Sequence, residues 1–197
     1  MFDFKIIDSC KLNYDKSVLI IIDMIKGFTE IGSLKCSSIK KIAKDIRYEC
    51  NKFSNIVAIN DSHGEKDCEF NVYPKHCLEG SCESEFCDEL LDVKFTHIIN
   101  KNSTNGFFSS KFLEVFDDYI NNDFNFVISG CCTEICILQF CLTFKGYLNS
   151  INKNLEIFVP IHLVETYERE KDYKQKVVNS SMYLMNNMGI KLVKSLI

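Results

Sequence analysis

The stretch Phe126-Val127-Ile128-Ser129-Gly130-Cys131-Cys132-Thr133-Glu134-Ile135-Cys136 decides the fold. Its apolar start predicts a buried strand, its glycine predicts a tight turn, and the residues after the turn predict the start of a helix. A helix N-terminus stabilises negative charge through its free N–H groups and its dipole. Cys136 is therefore a candidate nucleophile with a lowered thiol pKa, and the same amides are suited to hold an oxyanion.

Similar apolar runs of strand length recur along the chain, at residues 18–22, 56–59, 96–99, 126–128, 156–159 and, more weakly, 190–193. Segments with helical spacing separate them, at residues 39–53, 111–121, 134–148 and 170–188. This alternation indicates a parallel sheet covered on both faces, and the unbroken apolarity of the strands supports that burial. We expect one doubly wound α/β domain over residues 1–197, with a mainly parallel six-stranded sheet and helices on both faces.

Composition argues against several classes of protein. The chain has 197 residues, of which 46% are hydrophobic and 25% charged, and this suits one packed domain. A net charge of -4 without a Lys/Arg cluster predicts no nucleic-acid partner. Residues 126–144 are nearly long enough to span a bilayer, but Gly130, Glu134 and Gln139 favour a buried strand and helix. The first residues lack the order of a signal peptide, which predicts a cytoplasmic protein.

Eleven cysteines are many for a chain of this size. Without an export signal, a disulfide framework is not expected. The pairs Cys82/Cys87 and Cys132/Cys136 also lack the CxxC…CxxC spacing of a structural zinc site. Most of these side chains are therefore expected to be reduced, buried thiols.

Polar residues follow the predicted strands at their carboxyl ends, where open α/β sheets bind ligands. Asp23 ends the first strand, Asp61 follows the second and Lys101 follows the third. A reacting Cys136 needs a proton acceptor, and a desolvated Asp23 would have a pKa raised toward a useful value. Lys101 would balance the negative charges. The alternative interpretation is a charged rim, in which Asp23 caps a turn and Lys101 is solvated.

A second group of residues suggests a metal ion. Asp61 and His63 alternate in an extended segment, and Glu69 and His76 follow in a long polar loop at 64–89. Mixed carboxylate and imidazole ligands suit one divalent ion, Zn²⁺ first and also Mn²⁺ or Fe²⁺. The alternative is that these histidines are ordinary polar surface residues; His97 and His162 have no such context and are expected to be structural.

Aromatic residues lie near both groups in the sequence. Phe28 follows Asp23, Phe107 and Phe108 follow Lys101, and Tyr73 precedes His76, so these rings are candidates to stack on a flat substrate. With sixteen phenylalanines in the chain, core packing is the alternative for each of them.

The motifs together resemble the isochorismatase-like cysteine hydrolases, and within them the nicotinamidases. Residues 18–24 resemble the strand that ends in the catalytic aspartate, residues 98–101 the strand that leads to the catalytic lysine, and residues 130–136 the nucleophile motif. The resemblance implies that Asp23, Lys101 and Cys136 are catalytic. It also implies a cis peptide bond between Cys131 and Cys132, with the amides of Cys132 and Cys136 forming an oxyanion hole.

The Asp-x-His…His pattern separates the nicotinamidases from metal-free relatives. The resemblance implies that Asp61, His63 and His76 bind the metal, with Glu69 as the remaining ligand by spacing and Glu65 and Asp67 as rivals. Phe28, Tyr73 and Phe108 would contact the ring of a pyridine carboxamide, although Tyr73 stands where many members carry Trp.

The implied reaction is hydrolysis of nicotinamide to nicotinate and ammonia through a Cys136 thioester, a step of NAD salvage. One alternative is a metal-free or differently selective hydrolase of this family, acting on another amide, carbamoyl or enol-ether substrate. A remote alternative is a thiol-rich redox or metal-buffer protein. The sequence leaves open whether the chain forms a homo-oligomer.

Overall fold

The computed structural model describes residues 3–168 and 172–197. The strands are β1 Ile6–Ile7, β2 Ser17–Ile22, β3 Asn55–Asp61, β4 His97–Lys101, β5 Asn125–Cys131, β6 Ile157–Pro160, β7 Val164–Glu165 and β8 Lys191–Val193. The helices are α1 Lys26–Thr29, α2 Ser37–Cys50, α3 Phe112–Asn121, α4 Leu138–Ser150 and α5 Tyr173–Asn187. The start of the helix predicted at 170–188 lies outside the described residues. Among the helices described, none is long and apolar enough to cross a membrane.

The named strands form one eight-stranded sheet in the order β1-β8-β6-β5-β2-β3-β4, with β7 paired to β5. Every pairing between them is parallel. The predicted α/β fold is therefore confirmed, and the predicted count of six strands is corrected to eight. The two strands that the sequence did not indicate, β1 and β7, have two residues each, which is too short to produce a hydrophobic pattern.

Helices cover both faces of the sheet, as predicted. On one face, Phe112 and Phe116 of α3 and Phe140 and Phe144 of α4 pack in a core that also includes Met182 of α5. On the other face, α2 contributes a second core cluster. Residues of β2 alternate between the two clusters, and all six are buried. Burial on both faces explains why this strand is apolar throughout from Val18 to Ile22.

The parallel arrangement brings four strand ends to one edge of the sheet. β2 ends one residue before Asp23, β3 ends at Asp61, β4 ends at Lys101, and β5 ends at Cys131. The register pairs Asp61 directly with Lys101. Since β5, β2, β3 and β4 are neighbours in the sheet, Asp23, Asp61, Lys101 and the turn after Cys131 lie close together at this edge.

Gly130 allows β5 to pass close to β2 at this edge. Its φ angle is +112°, and a Cβ atom at this position would overlap the backbone oxygen of Ile22. Any side chain here would therefore force the two central strands apart.

We expect Gly130→Ala to lower the free energy of unfolding by at least about 3 kcal/mol, because both the backbone angle and the contact with Ile22 are incompatible with alanine. Gly146→Ala is the matched control. Gly146 lies within α4 with no atom near the added Cβ, so alanine should raise stability by up to about 1 kcal/mol. Urea unfolding followed by circular dichroism measures both; equal effects of the two substitutions would contradict the prediction.

Candidate active site

Three buried residues form the centre of the site. The Lys101 ammonium nitrogen lies 2.9 Å from Asp23 Oδ2 and 3.9 Å from Cys136 Sγ, and all three residues are buried. The same nitrogen donates to Asp61 Oδ1. The structure thus brings together the three residues predicted to be catalytic, and it adds Asp61 as a second acid in contact with the lysine.

The backbone after β2 positions Asp23. Its φ angle is +57°, its N–H donates to the Ile59 carbonyl at 3.0 Å, and its Oδ1 accepts from the Asp61 N–H at 2.9 Å. Asp and Asn adopt this left-handed conformation more readily than other side chains do. Asp23 is therefore held by the adjacent strand through both its backbone and its carboxylate.

The pKa of the Asp23 carboxyl is raised to about 6, mostly by burial and also by the nearby Asp61 charge, while Lys101 opposes the shift. Burial acts to lower the pKa of Lys101, but the charges of Asp23 and Asp61 outweigh it, so that pKa lies well above its ordinary value. A carboxyl group tuned in this way, beside a permanent cation, is suited to accept and return a proton near neutral pH.

The expectation of a lowered Cys136 pKa is wrong in direction. Burial raises the pKa of this thiol well above its ordinary value, and the Lys101 charge only partly offsets it. The sequence indicated a helix start but not the depth at which Cys136 lies. The residue rests as a thiol, and it needs a base to become a nucleophile.

Cys136 lies in a turn of π-helix, Thr133–Ile137, which directly precedes α4. The Cys132 carbonyl accepts from the N–H groups of Ile135 at 3.0 Å and Ile137 at 3.2 Å. The peptide bond between Cys131 and Cys132 is cis, as expected. The oxyanion role of the Cys132 and Cys136 amides stays a prediction.

Four side chains beside this centre could hold a metal ion. Asp61, His63, Glu69 and His76 each offer one ligand atom, and these atoms lie within 4.8 Å of one another. His63 Nε2 is 3.6 Å from Asp61 Oδ1 and 3.8 Å from Glu69 Oε1, and His76 Nε2 is 3.5 Å from Asp61 Oδ2. Ligand atoms that share one ion at about 2.1 Å lie about 3–4 Å apart, so the spacing fits a divalent ion.

Hydrogen bonds to the far side of each ring support this fit. His76 Nδ1 lies 2.8 Å from the Pro74 carbonyl oxygen, and His63 Nδ1 lies 3.1 Å from Asp67 Oδ2. Since both oxygens accept, each Nδ1 carries a proton, and in the neutral rings each Nε2 is the nitrogen left to bind a metal ion. His63 Nε2 is buried and has no hydrogen-bond partner among the described residues. A buried lone pair of this kind is what a metal ion would satisfy.

The rival ligands lie elsewhere. Asp67 contacts the opposite nitrogen of the His63 ring, and Glu65 forms an exposed ion pair with Lys75 at 2.5 Å. The structure therefore groups Glu69 with the other three donor residues.

One cavity is lined both by Cys136 and by three of the four donor residues. It is lined by Phe28, Leu34, Asp61, Glu69, Tyr73, His76, Thr104, Cys132, Ile135, Cys136 and Tyr167. The ring centroids of Phe28 and Tyr73 lie 5.7 Å and 6.3 Å from that of His76. Both predicted ring contacts thus lie at the wall of the cavity.

Phe108 is not brought to the cavity. The short turn Gly106–Phe108 packs Phe107 against the core and leaves Phe108 72% exposed, so its predicted contact with a substrate ring is corrected. Which of two adjacent rings faces inward depends on the geometry of a three-residue turn, which the sequence pattern does not reveal.

Other lining residues were missed by sequence reasoning. Tyr167, whose hydroxyl donates to the Leu34 carbonyl at 3.0 Å, lines the cavity together with Leu34. Neither Tyr167 nor Leu34 belongs to one of the sequence motifs. A single tyrosine after β7 gives no indication in the sequence that it lines a cavity.

The remaining thiols do not form a second site. All eleven cysteines are free, and only Cys68 and Cys82 are exposed. This distribution matches the expectation of reduced, mostly buried thiols, and it disfavours a thiol buffer, whose cysteines would be accessible.

Comparisons with known proteins agree with this geometry. Residues 17–149 match the family described as Isochorismatase domain. Nicotinamidase 1 of Arabidopsis thaliana is 26% identical, over 94% of this chain and 88% of that protein.

Two solved structures share the fold. PnC1 of L. infantum, in complex with nicotinate, superimposes with a TM-score of 0.80 at 18% identity, covering 96% of this chain and 98% of its own. The pyrazinamidase of Pyrococcus horikoshii, in complex with zinc, gives a TM-score of 0.73 at 22% identity, covering 91% and 99%. With most of the chain matched by one family, this protein belongs to the isochorismatase domain family and is a hydrolase with nicotinamidases among its relatives.

Proposed function

We propose that the chain is a metal-dependent cysteine amidohydrolase that converts nicotinamide and water to nicotinate and ammonia, a step of NAD salvage. One observation carries the proposal: a single cavity is lined by Cys136, which lies beside Lys101 and Asp23, and by Asp61, Glu69 and His76 of the four-donor group. The similarity to Nicotinamidase 1, and to a protein solved with nicotinate, supports the choice of substrate.

In the proposed reaction, the residues of this site act one after another. Asp23 accepts the Cys136 proton, and the thiolate attacks the carboxamide carbon. The amides of Cys132 and Cys136 hold the resulting oxyanion, and Lys101 stabilises the added negative charge. Asp23 returns the proton to the leaving ammonia, which yields a thioester. Asp23 then takes a proton from water, and the hydroxide attacks the thioester. As the C–S bond breaks, Asp23 returns its proton to the Cys136 sulfur, and the nicotinic acid released ionises to nicotinate.

The four-donor group would hold one divalent ion, for which zinc is the first candidate and manganese or iron are alternatives. When bound, the ion supplies a Lewis-acidic centre that can anchor the pyridine nitrogen. Phe28 and Tyr73 would flank the ring and place the carboxamide at Cys136.

The test is ammonia release by the purified protein from nicotinamide, pyrazinamide and a simple aliphatic amide, each with and without a chelator. We expect turnover of the two ring amides and loss of that turnover after chelation. Activity on a carbamoyl or enol-ether substrate with none on nicotinamide would instead assign a differently selective hydrolase of the same family.

A metal prediction arises directly from the geometry. We expect His63→Ala to lower the bound metal from about one ion per chain to a small fraction, because the substitution removes a buried ligand atom. Ring-amide hydrolysis should fall at least about 100-fold.

His162→Ala is the control, since His162 is exposed and lies outside the donor group. Inductively coupled plasma mass spectrometry, run beside the ammonia assay, measures both variants. A His63→Ala protein that retains its full metal content would contradict the proposed site.

A further inference from the structure

We propose that Asp67 is a positioning residue, which fixes the ring of His63 and its proton and thereby sets the affinity of the four-donor group for its metal ion. The inference rests on the proposed function, since it concerns the same metal site.

The carboxylate of Asp67 is held in place by the turn that follows His63. Asp67 Oδ2 accepts from the Gly64 N–H at 2.9 Å, and the Asp67 N–H donates to the Gly64 carbonyl at 3.2 Å. The same Oδ2 lies 3.1 Å from His63 Nδ1. The side chain of His63 is fully buried, and that of Asp67 is 20% exposed. One carboxylate oxygen thus connects the backbone turn to the buried ring.

This contact decides which ring nitrogen is free. Because a carboxylate oxygen accepts, Nδ1 of His63 carries a proton, and in the neutral ring Nε2 is then the nitrogen with the free lone pair. Nε2 faces Asp61 and Glu69, away from Asp67. A carboxylate behind a metal-binding imidazole also raises the basicity of the free nitrogen. Asp67 therefore acts through His63 and not as a ligand.

The two imidazoles are oriented by different means. His76 donates to the Pro74 carbonyl, a backbone group that no side-chain substitution removes. His63 depends on the side chain of Asp67. Substitution at position 67 can consequently test the orientation of one ligand while the other stays unchanged.

The experiment measures zinc affinity and not catalysis. The zinc-loaded chain is titrated with a chromogenic chelator, and the dissociation constant is obtained from the transferred zinc. We expect Asp67→Ala to bind zinc about 10- to 100-fold more weakly than the wild type. The zinc affinity of Asp67→Asn should lie between those of Asp67→Ala and the wild type, because the amide oxygen of asparagine still accepts from His63 Nδ1. Glu65→Ala is the matched control, since Glu65 forms an ion pair with Lys75 at the surface. This variant should bind zinc as tightly as the wild type does.

A second measurement needs no substitution at position 67. Long-range ¹H–¹⁵N spectra of the zinc-loaded wild type report which nitrogen of each ring carries a proton, and four histidines are few enough to assign by substitution. A proton on His63 Nδ1 supports the proposal, and a proton on Nε2 overturns it.

These experiments distinguish a failure of the Asp67 role from a failure of the metal site itself. Equal zinc affinity of Asp67→Ala and the wild type would overturn the role of Asp67 and leave the proposed function intact. A wild-type chain that releases ammonia from nicotinamide but binds no zinc, manganese or iron would overturn the metal site and this inference with it.

Discussion

Replacing Cys136 by alanine is expected to lower kcat/KM for nicotinamide at least about 10⁴-fold, because the substitution removes the atom proposed to form the thioester. The loss should appear in kcat, since the cavity walls that bind the ring are untouched. The measurement is steady-state ammonia release. Mass spectrometry of protein quenched during turnover should also show an acyl adduct on the wild type and none on the variant.

Cys141→Ala is the control for this change. Cys141 is buried in α4, five residues after Cys136, and it does not line the cavity. We expect this variant to be slightly less stable and nearly as active as the wild type. If Cys136→Ala kept the wild-type rate, the thioester mechanism would be wrong.

Asp23→Asn should lower kcat about 10³-fold, which is the usual contribution of a positioned general base. The buried Cys136 thiol has a raised pKa, so without a proton acceptor few molecules reach the reactive thiolate. Asparagine is close to isosteric with aspartate and tolerates the φ angle of +57°, so the backbone should keep its shape. Alkylation of Cys136 by iodoacetamide should slow in parallel with turnover.

Asp123→Asn is a matched control for this second change. Asp123 has a nearly identical φ angle of +55°, but its carboxylate forms an exposed ion pair with Lys153. The control should keep the wild-type rate. A comparable loss in both variants would attribute the effect of Asp23→Asn to the backbone turn and not to proton transfer.

Part of this site was predictable from the sequence because parallel strands end at one edge. Asp23, Lys101 and the Cys136 turn each follow an apolar run, so a parallel sheet brings them together whatever the loop details. Short spacing after the second strand also indicated Asp61, the two histidines and Glu69, although Glu65 and Asp67 were excluded as rivals to Glu69 only by the structure. For these residues, local sequence and topology lead to the same arrangement.

The remaining features depend on packing that no local pattern encodes. Phe107 and Phe108 are adjacent, and only the completed turn determines which of them faces the core. Tyr167 reaches the cavity from the far end of the chain and is held by Leu34, a contact across 133 positions. The direction of the Cys136 pKa shift depends on the depth of burial, which outweighs any effect of the helix start.

Lys101 lies between Asp23 and Asp61, and its ammonium group thus connects the proposed reacting residues to the four-donor group. In the proposed holoenzyme the two halves of the site are thus thermodynamically linked. A ligand that adds negative charge at Cys136 strengthens the attraction for a cation beside Asp61, and by reciprocity a bound cation strengthens the hold on that ligand by the same factor. Such an enzyme would retain its ion most firmly while a negatively charged ligand, such as the nicotinate product, lies beside Cys136, and the idle enzyme would be the form from which the ion escapes.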